Sequence, residues 1–339
     1  MSGFVVFIFG IQLMKAAASR LSGLLVDVLG RFTDTPLHSL AFGWLVAYGV
    51  LSGSPVAAFA LGLMSAGVVT TVSAYFMIMG SRLGASFIVI IIGLVAIARG
   101  QEREKSLAMG VLSFLVTYSI YLPAIFLGYV LLKTEAVSWL QITTPARIVG
   151  FFQLVYERPV AFVLDLSTRY LPILAFIVAL VAIYAGLALF DKTFHREQEA
   201  ELKSPRMHRF MRRPGVSFTV GALITLASTS VSLSIGMLVP LYLRGYVDRR
   251  EIVPYIMGAN ITTFIDTLFA AIVLGGNAVN LVLIEMTSVT AVSFVALLGY
   301  RRYSAAIDRA YTLVFHSNWA LGGFGALILA TPVLLLLLT

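Results

Sequence analysis

Apolar residues along this chain are grouped into long uninterrupted runs, which polar and charged stretches separate. The apolar residues do not alternate with polar ones, so the pattern disfavours an outer-membrane barrel. A helix of about 20 apolar residues is long enough to cross a hydrocarbon core of about 30 Å. The pattern therefore predicts an all-α polytopic membrane protein with about eight to ten membrane-embedded segments. The runs cover approximately residues 3–19, 38–51, 55–72, 74–98, 106–132, 171–190, 215–227, 231–243, 252–275, 279–299 and 310–338.

Two pairs of neighbouring runs are too short for each run to cross the membrane by itself. A helix of about 13 residues rises only about 20 Å. One pair occupies about 38–72 and has a hydroxyl-rich break at 52–54, and the other occupies about 215–243 with a similar break at 228–230. Each pair therefore predicts a re-entrant helical hairpin that enters and leaves the membrane on the same side.

The composition strengthens this prediction and excludes several kinds of site. Hydrophobic residues make up 59% of the 339 residues, charged residues 12%, and the mean hydropathy is +0.95, whereas a soluble domain carries about 25% charged residues. The chain has no cysteine and its four histidines lie far apart in sequence, which excludes disulfides, thiolate ligands and zinc-type spacings. No nucleotide-binding motif or catalytic-triad spacing occurs, so we expect no enzyme activity and no cofactor.

The distribution of basic residues predicts which side of the membrane each loop occupies. With a cytoplasmic N-terminus and two re-entrant hairpins, sixteen of the 24 Lys and Arg residues lie in cytoplasmic loops and six lie outside. The loop 191–213 is then cytoplasmic, and the C-terminus lies outside the cell membrane. The net charge of +8 reflects this sorting, and no nucleic acid partner is expected. The first hairpin enters from outside and the second from the cytoplasm.

Short motifs recur in the two halves of the chain. LSGSPVA at Leu51–Ala57 aligns with ASTSVSL at Ala227–Leu233, and MGSRLGAS at Met79–Ser86 aligns with MGANITTF at Met257–Phe264. Similar elements in opposite orientation are typical of an inverted repeat with broken transmembrane helices. The predicted organisation is a first repeat at 1–132, a connecting segment and span at 133–190, a basic linker at 191–213, a second repeat at 214–300 and a C-terminal span at 301–339.

At these motifs the sequence resembles the sodium/phosphate cotransporter family (type II, the bacterial and animal group). That family has a Gln-Ser-Ser-Ser hairpin motif and a later Gly-Ala-Asn-Ile-Gly-Thr-Thr motif, once in each of two inverted repeats. The similarity extends over about 1–130 and 209–300, whereas 133–170 matches no part of it. The stretches that resemble the family are FIFGIQLM at Phe7–Met14, RFTDTPLHSLAFGWL at Arg31–Leu45, SAGVV at Ser65–Val69 and GANIT at Gly258–Thr262.

The sequence departs from the family pattern at the motifs themselves. Leu51 and Ala227 replace the motif glutamines, and Arg82 replaces the asparagine of the later motif in the first repeat. The loss of both glutamines removes two amide groups from the implied site. The resemblance therefore supports the fold better than the identity of the substrate.

The resemblance implies a secondary active transporter that couples uptake of inorganic phosphate, or a related anion, to sodium by alternating access. The anion, sodium as the coupling ion and the lipid bilayer are the expected partners, and a homodimer is a further expectation. Two alternatives stay open. One is a non-transporting membrane component or sensor that retains the fold, and the other is an intramembrane enzyme built on Asp266 and Glu285.

Helix breaks inside a membrane supply the expected ligands. Helix N-termini attract anions, and freed carbonyl and hydroxyl oxygens suit a hard cation such as sodium. The same hydroxyls could instead only cap helices or join them. The expected substrate-binding residues are Ser52, Ser54, Arg82, Ser228, Thr229, Ser230 and Asn260, and the expected cation-binding residues are Ser86, Thr262, Thr263 and Asp266.

Arg82 is the most informative of these residues. An arginine in mid-membrane costs at least about 2.5–3.5 kcal/mol unless it is paired or hydrated. Its guanidinium suits bidentate binding of an oxyanion, but it could instead pair with Asp266 or reach the membrane surface. Asp266 is correspondingly either a ligand of the coupling cation or the partner of Arg82.

Overall fold

The computed structural model describes residues 2–134, 142, 144–171, 173–202 and 212–337. Within these ranges every regular element is a helix. Six helical segments are long and apolar enough to cross a membrane: Ser2–Arg20, Thr71–Ala98, Arg103–Thr134, Arg249–Leu274, Ala278–Leu298 and Asn318–Leu337. The described part of the chain is therefore all-helical, with the long apolar helices of a multi-pass membrane protein.

The first part of the chain forms seven helices. Thr35 caps the third helix and Thr70 caps the fifth, each through its side-chain oxygen, and Pro36 occupies the first turn of the third, where its missing N–H carries no penalty. The fifth and sixth helices are one apolar segment that is interrupted at Ser86. The seven helices are α1 (Ser2–Arg20), α2 (Ser22–Thr33), α3 (Pro36–Val50), α4 (Ser54–Ser65), α5 (Thr71–Ala85), α6 (Phe87–Ala98) and α7 (Arg103–Thr134).

The second part forms ten described helices. A capping box of Asp248 and Glu251 starts α13, and Thr263 interrupts the apolar segment between α13 and α14. The helices are α8 (Ala146–Tyr170), α9 (Leu174–Leu202), α10 (Pro214–Ser228), α11 (Val231–Gly236), α12 (Leu238–Leu243), α13 (Arg249–Thr262), α14 (Phe264–Leu274), α15 (Ala278–Leu298), α16 (Tyr300–Phe315) and α17 (Asn318–Leu337).

Two segments of the chain have helix boundaries that match at one constant offset in sequence. The first residues of α3 and α10 are separated by the same number of residues along the chain as their last residues. Both helices end on a residue with positive φ, Leu51 at 57° and Thr229 at 54°, and no other described non-glycine residue has a positive φ. The following helical limbs each lead to a glycine with positive φ, Gly67 and Gly245, again at this offset. The two segments therefore fold alike. Each is a helical hairpin, with α3 and α4 as the limbs of the first and with α10 and α11–α12 as the limbs of the second. The chain at or just before the start of each first limb contacts the start of the helix that follows the hairpin.

This register differs from the hairpin alignment expected from the sequence. The motif comparison pairs Leu51 with Ala227, whereas the structure pairs Leu51 with Thr229 and Ser52 with Ser230. The two alignments differ because hydroxyl residues can be matched at several offsets, while the helix ends are fixed by where the backbone turns left-handed. The later alignment of Arg82 with Asn260 has the structural offset and agrees with the fold.

Close helix packing follows the same register. A β-carbon at Gly80 of α5 would lie 2.0 Å from the Leu40 carbonyl oxygen of α3, and one at Gly258 of α13 would lie 2.0 Å from the Phe218 carbonyl oxygen of α10. Only glycine allows backbones to approach so closely. The first limb of each hairpin is therefore pressed against the first half of the broken helix that follows it.

Equivalent helices of the two parts make equivalent contacts with the opposite part. The second limb of the first hairpin, α4, packs against α14, and the second limb of the second hairpin begins with α11, which packs against α6. Helices α1 and α9 pack together, as do α7 and α15. Each hairpin thus contacts the second half of the broken helix in the opposite part of the chain.

Several elements differ from the runs expected from the sequence. The final run at 310–338 is two helices, because α16 ends at Phe315 and α17 begins at Asn318. Helices α2 and α8 were not predicted, and only the end of α16 lies in an expected run. Helices α8 and α16 carry charged as well as apolar residues, which a search for apolar runs passes over. Helix α9 continues to Leu202, into the expected linker at 191–213, of which 203–211 lie outside the described residues.

Candidate functional site

The tips of the two hairpins meet at one cavity, here named the tip cavity. Ser52 and Ser230 follow the left-handed residues that end α3 and α10, and both serines line a cavity of about 300 Å³. A water molecule needs only about 10–15 Å³ of such volume, so the cavity has room for a small hydrated ion. Tyr184 of α9 also lines it, and none of the described charged side chains does. The remaining wall is apolar: Val50, Leu51, Pro55, Ile88, Ile92, Leu187 and Ala188.

A smaller cavity of about 130 Å³ lies beside the second tip and contains two polar side chains, Thr229 and Asp266. Thr229 is 8% exposed and Asp266 is 3% exposed. Among the described residues, Thr229 Oγ1 and Asp266 Oδ2 have no hydrogen-bond partner. The rest of the wall is formed by Gly3, Phe4, Phe7, Gly186, Leu187 and Phe269. Two residues that each have a buried oxygen without a hydrogen-bond partner therefore line a largely apolar cavity.

Arg82 joins the two parts of the chain through a buried polar cluster. The guanidinium is 3% exposed and donates from Nη1 to Thr263 Oγ1 over 3.3 Å and from Nη2 to the Thr267 hydroxyl. Its Nη2 also lies 3.7 Å from Asp266 Oδ1. The Phe264 ring covers the guanidinium, with 4.8 Å between Arg82 Cζ and the ring centroid. Arg82 on α5 is thus held by the first turn of α14.

The Asp266 carboxylate is fixed by groups from both parts of the chain. Its Oδ1 accepts from the Thr267 backbone N–H and hydroxyl, the latter over 2.9 Å. The Ser54 side chain at the start of α4 also approaches this carboxylate. Because Thr267 donates to Asp266, its hydroxyl oxygen is free to accept from Arg82. The Arg82 guanidinium therefore donates to the Thr267 hydroxyl, which in turn donates to the Asp266 carboxylate.

Asn260 lies in a neighbouring part of the same interior. Its Nδ2 donates to Thr117 Oγ1 over 3.2 Å, and Ser86 Oγ donates to the same threonine oxygen over 3.2 Å. The Tyr121 hydroxyl donates to the Asn260 carbonyl oxygen over 2.9 Å, and the Tyr121 ring stacks on Phe264. Helix α7 therefore connects the breaks at the ends of α5 and α13.

The remaining predicted ligands have local partners. Ser228 Oγ donates to carbonyl oxygens of Thr225 and Ser230 at the end of its own helix. Thr262 Oγ1 donates to carbonyl oxygens of the preceding turn of α13. These two side chains satisfy backbone groups and do not line either of the two cavities at the hairpin tips.

The predicted site residues are consequently divided among separate places. Ser52 and Ser230 line the tip cavity, Thr229 and Asp266 share the smaller one, and Arg82 contacts Thr263 and Asp266. Asn260 and Ser86 meet at Thr117. Arg82 is not among the residues that line the tip cavity. The sequence predicted a single anion-plus-cation site, and that these groups bind ions together stays a prediction.

Sequence reasoning missed four residues of the polar interior: Thr117, Tyr121, Phe264 and Thr267. Threonine and aromatic residues are common in membrane helices, and their partners are distant in sequence. The Thr117 and Tyr121 spacing of four residues, which places two polar groups on one face of α7, was the available signal.

Glu285 is a second buried carboxylate near this interior. It is fully buried on α15, and neither carboxylate oxygen has a hydrogen-bond partner among the described residues. Arg82 and the Tyr75 and Tyr121 hydroxyls are the charged or titratable groups that interact with it electrostatically. Within the described part of the chain, no group of three or more His, Cys, Asp or Glu residues could hold a metal ion.

Comparison with protein families identifies a match to the Na+/Pi-cotransporter family over residues 6–156. The match includes the first hairpin, the α5–α6 break and Arg82, and it confirms the resemblance that the sequence motifs indicated. It also runs through 133–156, so the expectation that 133–170 matches no part of the family is wrong for those residues. The match ends within α8, and the resemblance over 209–300 stays a prediction. No curated protein and no solved structure matches the chain.

Proposed function

We propose that this chain, whose first part matches a family of sodium/phosphate cotransporters, is a secondary active transporter for inorganic phosphate or a related anion. Uptake is coupled to sodium and proceeds by alternating access. The observation that carries the proposal is the convergence of Ser52 and Ser230, from two separate hairpins, on one cavity of about 300 Å³. Substrate sites of many transporters are formed where discontinuous helices from two repeats meet.

The arrangement of the two parts supports an inverted repeat with re-entrant hairpins. Matching helices recur at one constant sequence offset, and each hairpin contacts the broken helix of the opposite part. In the topology given by the basic residues, α3 and α10 start on opposite sides of the membrane. Two equivalent units in opposite orientation can exchange conformations, which opens the shared cavity alternately to each side.

The tip cavity offers groups that suit a small oxyanion. The Ser52 and Ser230 hydroxyls and the Tyr184 side chain line it, and α4 begins two residues after Ser52. The first amides of a helix lack partners within the helix and carry partial positive charge, which favours an anion. Leu51 lines the cavity at the position where the related family has a glutamine. An oxyanion would therefore be held by hydroxyls and backbone amides without that side chain.

Uptake of ³²P-phosphate into proteoliposomes that contain the full-length protein tests this function. We expect uptake driven by an inward sodium gradient and not by a potassium gradient. The double variant Ser52→Ala/Ser230→Ala should lower uptake about tenfold or more, because each lost hydrogen bond to a charged group contributes about 1.5–3 kcal/mol. Ser304→Ala is the matched control, since this hydroxyl bonds only to the Arg301 carbonyl oxygen of its own helix.

Two results would contradict the proposal. Equal uptake by the double variant and the native protein would remove the tip cavity from the transport route. A folded preparation that binds phosphate but never accumulates it would favour the alternative of a membrane sensor that keeps the fold.

A further inference from the structure

The oxygens around Arg82 form a set that a hard cation prefers. Thr263 Oγ1, Thr267 Oγ1 and Asp266 Oδ1 all lie within reach of its two terminal nitrogens. Carboxylate and hydroxyl oxygens of this kind bind sodium in transporters with broken helices. Two of these residues, Thr263 and Asp266, belong to the cation site that the sequence predicts. The guanidinium therefore engages the same oxygens that a sodium ion would require.

The guanidinium is held tightly by its surroundings. Arg82 is 3% exposed, it lies against the Phe264 ring, and its charge is balanced by Asp266. Hydrogen bonds with one charged partner, such as those from Arg82 to the Thr263 and Thr267 hydroxyls, are about twice as strong as neutral ones. A sodium ion would have to displace the guanidinium into a buried environment, where an unpaired charge is strongly disfavoured. Exchange between the two cations is therefore unfavourable.

Asn260, the counterpart of Arg82 in the second part, makes different contacts. Asn260 is the counterpart of Arg82 in the structural register, it is uncharged, and its side chain donates to Thr117 instead of crossing to the opposite broken helix. The cationic side chain is therefore present at one of two equivalent positions. Its partners all come from the other part of the chain, at the start of α14.

We propose that the Arg82 guanidinium is a built-in cation that permanently occupies the oxygen cluster of Thr263, Asp266 and Thr267. This cluster consequently binds no sodium, and the protein binds one sodium ion fewer than a variant with a neutral side chain at position 82. The consequence for coupling rests on the transport function proposed above. The binding consequence does not, because it concerns sodium and the purified protein alone.

Sodium binding to purified full-length protein, measured with ²²Na⁺ by equilibrium dialysis in choline buffer, tests the proposal. In the native background, Asp266→Asn should leave sodium affinity and stoichiometry unchanged, because Asp266 already serves Arg82. If Asp266 were a sodium ligand, the same substitution would lower sodium affinity by at least the roughly 10–100-fold that is typical of changing a residue that only supports a metal ligand. That loss would overturn the proposal.

The reciprocal variant removes the built-in cation. Arg82→Asn should gain one sodium ion per chain and show a melting temperature that rises with sodium but not with choline. Arg82→Lys retains a cation and should gain none. Arg82→Asn/Asp266→Asn should lose the additional ion, and Lys15→Gln controls for removal of a basic residue elsewhere. A folded Arg82→Asn variant that gains no sodium would overturn the proposal.

If Arg82→Asn does not fold, the comparison of sodium binding by the native protein and by Asp266→Asn still tests the proposal. Failure of the transport function is recognised separately. In that case native proteoliposomes show no sodium-driven phosphate uptake, while the gain of sodium binding by Arg82→Asn is still observed.

Discussion

At the scale of single residues, polar contacts between distant parts of the chain organise the interior. Thr117 on α7 accepts hydrogen bonds from Ser86 and Asn260, which lie beside the breaks of two different helices. The sequence identified Arg82 because an arginine within an apolar run is costly, and it named Asp266 as one of two partners. It could not identify Thr117 or Thr267, because a threonine in a membrane helix usually bonds to its own helix.

Replacing Thr117 with valine should destabilise the protein. The change keeps the shape of the side chain but removes the acceptor of two buried donors, and each unsatisfied buried group costs about 1–3 kcal/mol. We expect a lower melting temperature in detergent, measured by tryptophan fluorescence. Thr134→Val on the same helix is the control, because Thr134 is exposed and bonds only to Val130. Equal melting temperatures for the two variants would show that Thr117 does not hold the breaks together.

At the scale of helices, glycines determine how each hairpin packs. Gly80 and Gly258 allow α5 and α13 to touch the backbones of α3 and α10. The short apolar runs and their hydroxyl-rich breaks predicted the ends of the hairpin helices to within two residues, except that α4 ends at Ser65, well before the end of the expected run 55–72. The runs could not predict which faces touch, since glycines with and without a close neighbour occur in the same helices, as Gly43 and Gly49 do in α3. Only the packed structure distinguishes Gly80 from Gly49, whose β-carbon would meet nothing within 4 Å.

Gly258→Ala should disrupt the packing of α13 against α10. The new β-carbon would lie 2.0 Å from a backbone carbonyl oxygen, which cannot rotate away as a side chain would. Such overpacking costs about 1–3 kcal/mol or more. Gly215→Ala is the control, because its β-carbon would enter open space at the exposed start of α10. Stability of both variants can be compared by thermal unfolding in detergent, and an unaffected Gly258→Ala would contradict the close approach of the two backbones.

At the scale of the whole molecule, two equivalent sets of helices surround a shared interior. The pairs α1 with α9 and α7 with α15 bring the sets together, and the hairpins cross between them. Opposite orientation of the sets across the membrane is a consequence of the predicted topology, in which basic residues concentrate on the cytoplasmic side. This orientation stays a prediction.

Single cysteines can test the orientation directly, because the chain contains no cysteine. Ala66 and Arg244 are equivalent positions in the two hairpins and follow α4 and α12, respectively. In the inverted topology Ala66→Cys should react with a membrane-impermeant maleimide added to intact cells, whereas Arg244→Cys should react only after the membrane is opened. Labelling of both cysteines from the same side would rule out the inverted arrangement of the hairpins.

The class of the protein and the resemblance to sodium/phosphate cotransporters could be predicted without a structure. Both depend on local properties, namely the lengths of apolar runs and short motifs that are read along the chain. The tertiary structure decided that Ser52 and Ser230 share a cavity, that Arg82 reaches Asp266, and that the two sets of helices correspond in the register that pairs Leu51 with Thr229. The cavity and the ion pair join residues from opposite halves of the chain, and the register is fixed by where the backbone turns. Apolar runs indicate which segments lie in the membrane, but they carry no information about which of their residues meet.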